Sequence, residues 1–184
     1  LLYRRIGGGW LRTNLWTNDQ GLYLKETPKS TPVRVGPDAQ DLHMVDTDPD
    51  RVLYTRRGGD GIELRSLGLT DREERTHAKV EMGVKLVVSP DGRWLGWQEN
   101  YDAHVIPFRW TGRPIQPGGG GVTQVTVSED VGNELHFAAG QMWWTEGPTL
   151  FGTSMGDALA AAADEDTEAP EPVSHALGFD VDTD

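Results

Sequence analysis

The chain has 184 residues, a formal net charge of −12 and 36% apolar residues, enough for one domain with a sizeable core. No window carries the ~18 apolar residues of a membrane helix, and the lack of cysteine excludes disulfides and thiol chemistry. The acidity argues against nucleic acid as a partner of the folded part.

Glycine (23) and proline (11) are frequent and there are seven Trp, a composition suited to many short strands joined by turns. The sequence opens on Leu1 rather than Met, so the absence of a readable leader excludes nothing. Residues 1–14, with Gly7-Gly8-Gly9, read as the end of a preceding blade and a connecting loop. A first, partial unit follows, in which Leu15-Trp16-Thr17 and Leu22-Tyr23-Leu24 flank Asn18-Asp19-Gln20-Gly21.

From residue 42 onward a unit repeats. It consists of an apolar strand, a tight turn and a second strand, and then a third strand. The clearest copy runs Leu86-Val87-Val88, Ser89-Pro90-Asp91-Gly92 and Trp94-Leu95-Gly96-Trp97, then His104-Val105-Ile106-Pro107-Phe108. Pro90 pre-sets the turn's second position, and Gly92 accepts a left-handed backbone, which predicts a three-residue hairpin connection with a glycine bulge. The copy before it is Leu42-His43-Met44-Val45, Asp48-Pro49-Asp50, Arg51-Val52-Leu53-Tyr54 and Ile62–Leu67. The copy after it is Leu135-His136-Phe137, Ala138-Ala139-Gly140, Gln141-Met142-Trp143-Trp144 and Leu150-Phe151-Gly152-Thr153. Polar outermost strands are expected at Arg72–Thr76 and Thr123–Val127. Gly118–Gly121 lacks the Lys and Ser/Thr of a phosphate loop and reads as a flexible connection.

A period of about 40–48 residues with several strands each is the signature of a β-propeller. The expected fold is therefore all-β: a partial propeller of three to four four-stranded antiparallel blades over 1–156. Leu42–Val45, Leu86–Val88 and Leu135–Phe137 are expected innermost, with turns at Pro49–Arg51, Pro90–Gly92 and Ala139–Gln141, and Trp94 is expected buried between blades. Residues 157–184 hold nine acids and no Lys or Arg. They read as an acidic linker with a short alanine-rich helix at Ala158–Ala163 and a mildly strand-like stretch, Ser174–Val181, leading to a missing following domain.

The stretch "SPDGRWLGWQENYDAHVIPF", followed by "TGRPI", resembles the TolB-like (WD-repeat-like) propeller that lies N-terminal to the catalytic barrel of bacterial amidohydrolase-family proteins. "VTQVTVSEDVGNELHFAAGQMWWTEGPTLF" is similar to that family's last blade, and "LGFDV" to the segment before its barrel. The stretch from Gln141 to Gly147 is one residue shorter than the family's pattern. The resemblance implies a parent that hydrolyses C–N bonds. Zinc or another divalent metal would lie in the parent's barrel, the propeller would scaffold or limit access to the active site, and the location would be periplasmic or secreted. The partners it implies are the missing blades and catalytic domain, or another chain completing the propeller. Two alternatives stay open: a TolB-like protein-binding module, and the gating propeller of a tricorn-like or prolyl-oligopeptidase-like peptidase.

No catalytic, cofactor or metal residue is assigned within the chain. Its five histidines, His43, His77, His104, His136 and His175, are nowhere closer than 27 residues, so no local ligand pair of the zinc type exists. They read as core or channel histidines. Ser89 precedes proline inside a turn and lacks the nucleophile-elbow context. Asp46 and Asp48 lack the spacing and terminal Glu of a calcium loop. Trp94, Trp97, Trp143 and Trp144 follow hairpin turns in matching places, as blade packing requires.

Overall fold

The computed structural model describes residues 1–6, 20–117, 124–129, 131–132, 134–163 and 171–178. The sequence readings at Gly7–Gly9, Leu15–Asp19, Gly118–Gly121, Asp164–Pro170 and Phe179–Val181 lie outside the described residues. Strands β1 (Leu2–Arg5), β2 (Gly21–Leu24) and β3 (Val33–Gly36) make a three-stranded sheet. Three four-stranded sheets follow in chain order. The second sheet holds β4 (Gln40–Met44), β5 (Arg51–Gly58), β6 (Gly61–Gly68) and β7 (Glu74–Val80). The third holds β8 (Gly83–Val88), β9 (Trp94–Glu99), β10 (Asp102–Pro107) and β11 (Val125–Ser128). The fourth holds β12 (Leu135–Ala138), β13 (Gln141–Glu146), β14 (Thr149–Ser154) and β15 (Val173–Ala176). Every pairing within the sheets is antiparallel between chain neighbours. The chain is all-β with blade-like sheets, a partial β-propeller.

Successive sheets pack face to face, because their strands carry apolar residues on both faces. On β5, Val52 and Tyr54 join Leu22 of the first sheet, while Leu53 on the opposite face joins Leu86 and Trp97 of the third. On β9, Leu95 and Trp97 point back toward the second sheet and Trp94 forward toward the fourth. Alternation with period two is what delivers one strand to two cores. Trp97 and Trp144 are among the largest fully buried side chains. Trp94, expected buried between blades, is only half-buried and packs on the edge of the third core. It sits at the first position of its strand, where the turn leaves one side open.

The inner strand β8 contacts both β4 and β12, as its place in the repeat predicts. The turn before β9 is longer than the expected three residues. Gly92 N–H donates to the Ser89 carbonyl at 2.8 Å with Gly92 at φ +70°, and Ser89 N–H pairs with the Trp94 carbonyl at 2.9 Å, leaving Pro90–Arg93 as a four-residue loop. Ser89 Oγ accepts from both the Arg93 and Trp94 amides, which stabilises the extra residue. The β12–β13 turn is tighter. Ala139 and Gly140 both have positive φ, as a type I′ connection requires, and the register Leu135↔Trp144 to Ala138↔Gln141 runs without a bulge.

Several elements differ from the sequence reading. Leu2–Arg5 lies in the same sheet as Gly21–Leu24 rather than in a preceding blade. The outer strand of the second sheet begins two residues later than expected, at Glu74, and that of the third is seen from Val125, Thr123 lying outside the described residues. Helix α1 (Met155–Ala163) places Met155, Ala158 and Leu159 on the third core at helical spacing. Strand β15 pairs with β14 from Thr149↔Ala176 to Gly152↔Val173, so residues 173–176 of the expected linker are the fourth strand of the last sheet. The long connection after β10 also has a structural task. Ile115 exchanges backbone hydrogen bonds with His77 and Lys79 on the outer edge of β7 (2.7 and 3.0 Å), which covers an edge otherwise open to pairing.

Candidate functional site

The inner strands of the second, third and fourth sheets converge on a cavity of about 190 Å³. Its lining includes Leu42, Met44, Val87, Val88 and Phe137 as apolar wall, with Asp41, His43, Lys85 and His136 as polar groups. These residues occupy equivalent places in the repeat. Asp41, Lys85 and Glu134 each precede the first Leu of an inner strand, and His43, Val87 and His136 each follow it. Repetition around an axis thus turns one strand position into a ring of side chains.

His43 is held at both ring nitrogens. Its Nδ1 lies 2.8 Å from the Asp41 carbonyl and its Nε2 lies 3.2 Å from the Val88 amide nitrogen. A carbonyl only accepts and an amide N–H only donates, so the proton belongs on Nδ1 and the lone pair of Nε2 is taken. Burial lowers the ring's pKa from its ordinary value, which favours the neutral form this arrangement needs. His43 is a rivet between β4 and β8, with neither nitrogen left for a metal or a proton relay. Asp41 beside it has φ +49°, in the left-handed region, at a register shift between Gln40 and His43. The shift aims the ring across to the next blade.

Across the cavity Lys85 Nζ reaches Glu134 Oε2 at 3.2 Å, and the same oxygen meets His136 Nε2 at 2.8 Å. These two hydrogen bonds, His136's first and then Lys85's, hold the Glu134 carboxyl below its usual range. The Lys85 side chain is 15% exposed while Glu134 is 59% exposed. The lysine side chain is thus largely covered while its counter-ion faces water.

The other singled-out residues lie elsewhere. His77 on β7 bonds Ser66 Oγ at 2.7 Å and meets Trp110 edge-on at 4.8 Å. His104 on β10 contacts Thr126 Oγ1 at 3.1 Å and tilts against Trp97. His175 on β15 stacks on Trp143, on the face of the last sheet away from its core. Ser89 Oγ donates to Asp91 Oδ1 at 2.5 Å, a turn contact. Asp48 pairs loosely with Arg51 at 3.7 Å, and the Asp46 amide donates to the Pro90 carbonyl at 2.7 Å. Only His43 and His136 share the cavity. Among the described residues no group of three His, Cys, Asp or Glu is placed to hold a metal ion, and no helix is long and apolar enough to cross a membrane. Lys85, Glu134 and Asp41 were not singled out from the sequence. Aligning the three repeats on their inner-strand leucines would have set all three charges in one column.

No family model and no curated protein matches this chain. Among solved structures it is similar to a chain in the crystal structure of a nidogen/laminin complex, with a TM-score of 0.50 and 10% identity. The match covers 77% of this chain and 54% of that one, so this chain spans about half the length of the structure it resembles. At that identity the likeness is one of fold.

Proposed function

We propose that this chain is a non-catalytic propeller segment that scaffolds, and binds ligand groups at the cavity between its inner strands. The observation that carries this reading is the engagement of the cavity's polar groups. Both nitrogens of His43 are committed to backbone partners, and Lys85 and His136 share one carboxylate. A hydrolytic centre needs a nucleophile or metal-bound water beside a free base, and this cavity offers shape and charge instead. The parent in this proposal, on the strength of the sequence resemblance, is an amidohydrolase-like hydrolase of C–N bonds whose zinc or other divalent metal sits in a separate barrel. Blades and barrel of that parent would be the segment's partners, with the four sheets through β15 (Val173–Ala176) as its propeller part.

The test is to purify the 184-residue chain, measure bound zinc by elemental analysis, and assay amide and peptide hydrolysis. A polypeptide continued past Asp184 in its reading frame serves as comparison. The expected result is neither zinc nor turnover in the shorter chain. Stoichiometric zinc with turnover there would overturn the scaffold reading.

A further inference from the structure

We propose that the inner-strand cavity binds an apolar group ending in a carboxylate, with Lys85 as the anion's anchor; the inference rests on reading this cavity as a binding site. Three observations support it. The first is size: an engineered apolar cavity of about 150 Å³ holds benzene, so the roughly 190 Å³ here suits on the order of six to eight non-hydrogen atoms. The second is the wall, where Leu42, Val87, Val88 and Phe137 offer branched and aromatic surface for an aliphatic body.

The third is the state of Lys85. An ammonium has three donors, and among the described residues Glu134 is the hydrogen-bond partner of Lys85 Nζ. The side chain lies largely covered along the cavity wall, and two of the ammonium's three donors are left for acceptors that enter there. Glu134 is exposed, and its position is set by two hydrogen bonds at one oxygen. A ligand carboxylate entering the cavity meets Lys85 from the apolar side and either shares the ammonium or displaces Glu134. Asp41 and Glu134 leave no surplus positive charge at the rim, so attraction is local to the Lys85 head and depends on Glu134 yielding. His136, freed from Glu134, is a second donor to the incoming anion. An aliphatic carboxylate of this kind occurs as a free acid and as the C-terminus of a peptide ending in an apolar residue.

The test uses the ¹⁵N-labelled 184-residue chain at low ionic strength, titrated with 4-methylpentanoate, 4-methylpentanamide, and the tripeptide Gly-Gly-Leu with free and amidated C-terminus. Amide signals of Val87, Val88 and Phe137 should move with the acids. Each carboxylate should bind at least about tenfold more tightly than its amide, as a charge-assisted hydrogen bond provides. Binding by the tripeptide alone assigns the site to peptide C-termini, and binding by the free acid alone assigns it to small acids. Lys85→Gln should abolish the preference for acid over amide. Glu134→Gln, at an exposed position that folding tolerates, should tighten acid binding several-fold by removing the competing carboxylate. Equal affinity for acid and amide, weaker acid binding in Glu134→Gln, or no movement of the cavity signals would each overturn the proposal. Since the readout is binding, hydrolytic activity of the chain would count against the scaffold reading and leave this result separately legible.

Discussion

His77 carries a sequence position into a pH response. It lies on β7, buried, with its Nε2 against Ser66 Oγ and its ring edge-on to both Phe108 and Trp110. Burial lowers its pKa to about 4, and the nearby Arg51 and Arg75 guanidinium groups push the same way. An unfolded chain's histidine titrates near 6.5. Between those values the unfolded state binds the proton and the folded state does not. The stabilisation is therefore fully present above about pH 6.5 and is lost as pH falls toward about 4. Urea unfolding across that window should show falling stability, and His77→Gln should flatten the slope by close to one proton, since an amide can still meet Ser66. An unchanged slope would mean that His77 titrates normally in the folded chain. Burial lowers His104 and His43 as well, so the variant removes one contribution among three. None of this was readable from a lone His between Thr76 and Ala78. Burial and a nearby arginine are properties of packing between strands, not of spacing along one.

Turns show where sequence reading succeeds and where it stops. The turns expected at Pro49–Arg51, Pro90–Gly92 and Ala139–Gln141 follow from residues that favour them and mark the repeat and its inner strands, although Arg51 and Gln141 already open β5 and β13. The first and last sheets were harder, since β1, β3 and β15 have four residues each and little apolar alternation to mark them. They are strands because a neighbour offers an edge, a tertiary cause. The cavity was hidden for a related reason: its charged residues look like ordinary surface residues until three strands are laid side by side. The β9–β10 pair follows the expected strand order, but its tight turn was hidden. It turns on Asn100 and Tyr101, both at positive φ (51° and 74°). Asn tolerates that conformation, whereas Tyr101, largely exposed, pays a steric penalty that glycine would not. Its carbonyl receives the Val131 amide at 2.6 Å, a bond that any residue preserves. Tyr101→Gly should therefore stabilise the chain by about 1 kcal/mol, visible as a raised denaturation midpoint with unchanged m-value. A loss of stability would show that the aromatic ring packs against a surface strongly enough to hold the strained turn.

Four sheets in series share three cores, and the cores are not equivalent in what they protect. The second and third sheets are covered on both faces, with Leu53 and Val52 of β5, or Trp97 and Trp94 of β9, serving opposite sides. Among the described residues, the first sheet buries one face through Leu22 and Leu2, and the last through Met142 and Trp144. The far face of the last sheet is dressed by its own side chains: Trp143 lies so close over Gly152 that a Cβ there would come within 2.5 Å of the ring, and His175 stacks above it. An array in which each unit touches its neighbours gains stability from its interfaces, and a unit with one interface opens at lower free energy than a unit with two. Native-state hydrogen exchange should therefore rank β5, β6, β9 and β10 slowest, and β1 and β15 fastest. The β8 amides should stay protected too, because β8 contacts strands of both flanking sheets and gives its Val88 N–H to His43. Uniform protection across all four sheets would mean that the chain unfolds as one cooperative unit. Faster exchange in β9 than in β1 would contradict the order of burial from which the ranking is drawn.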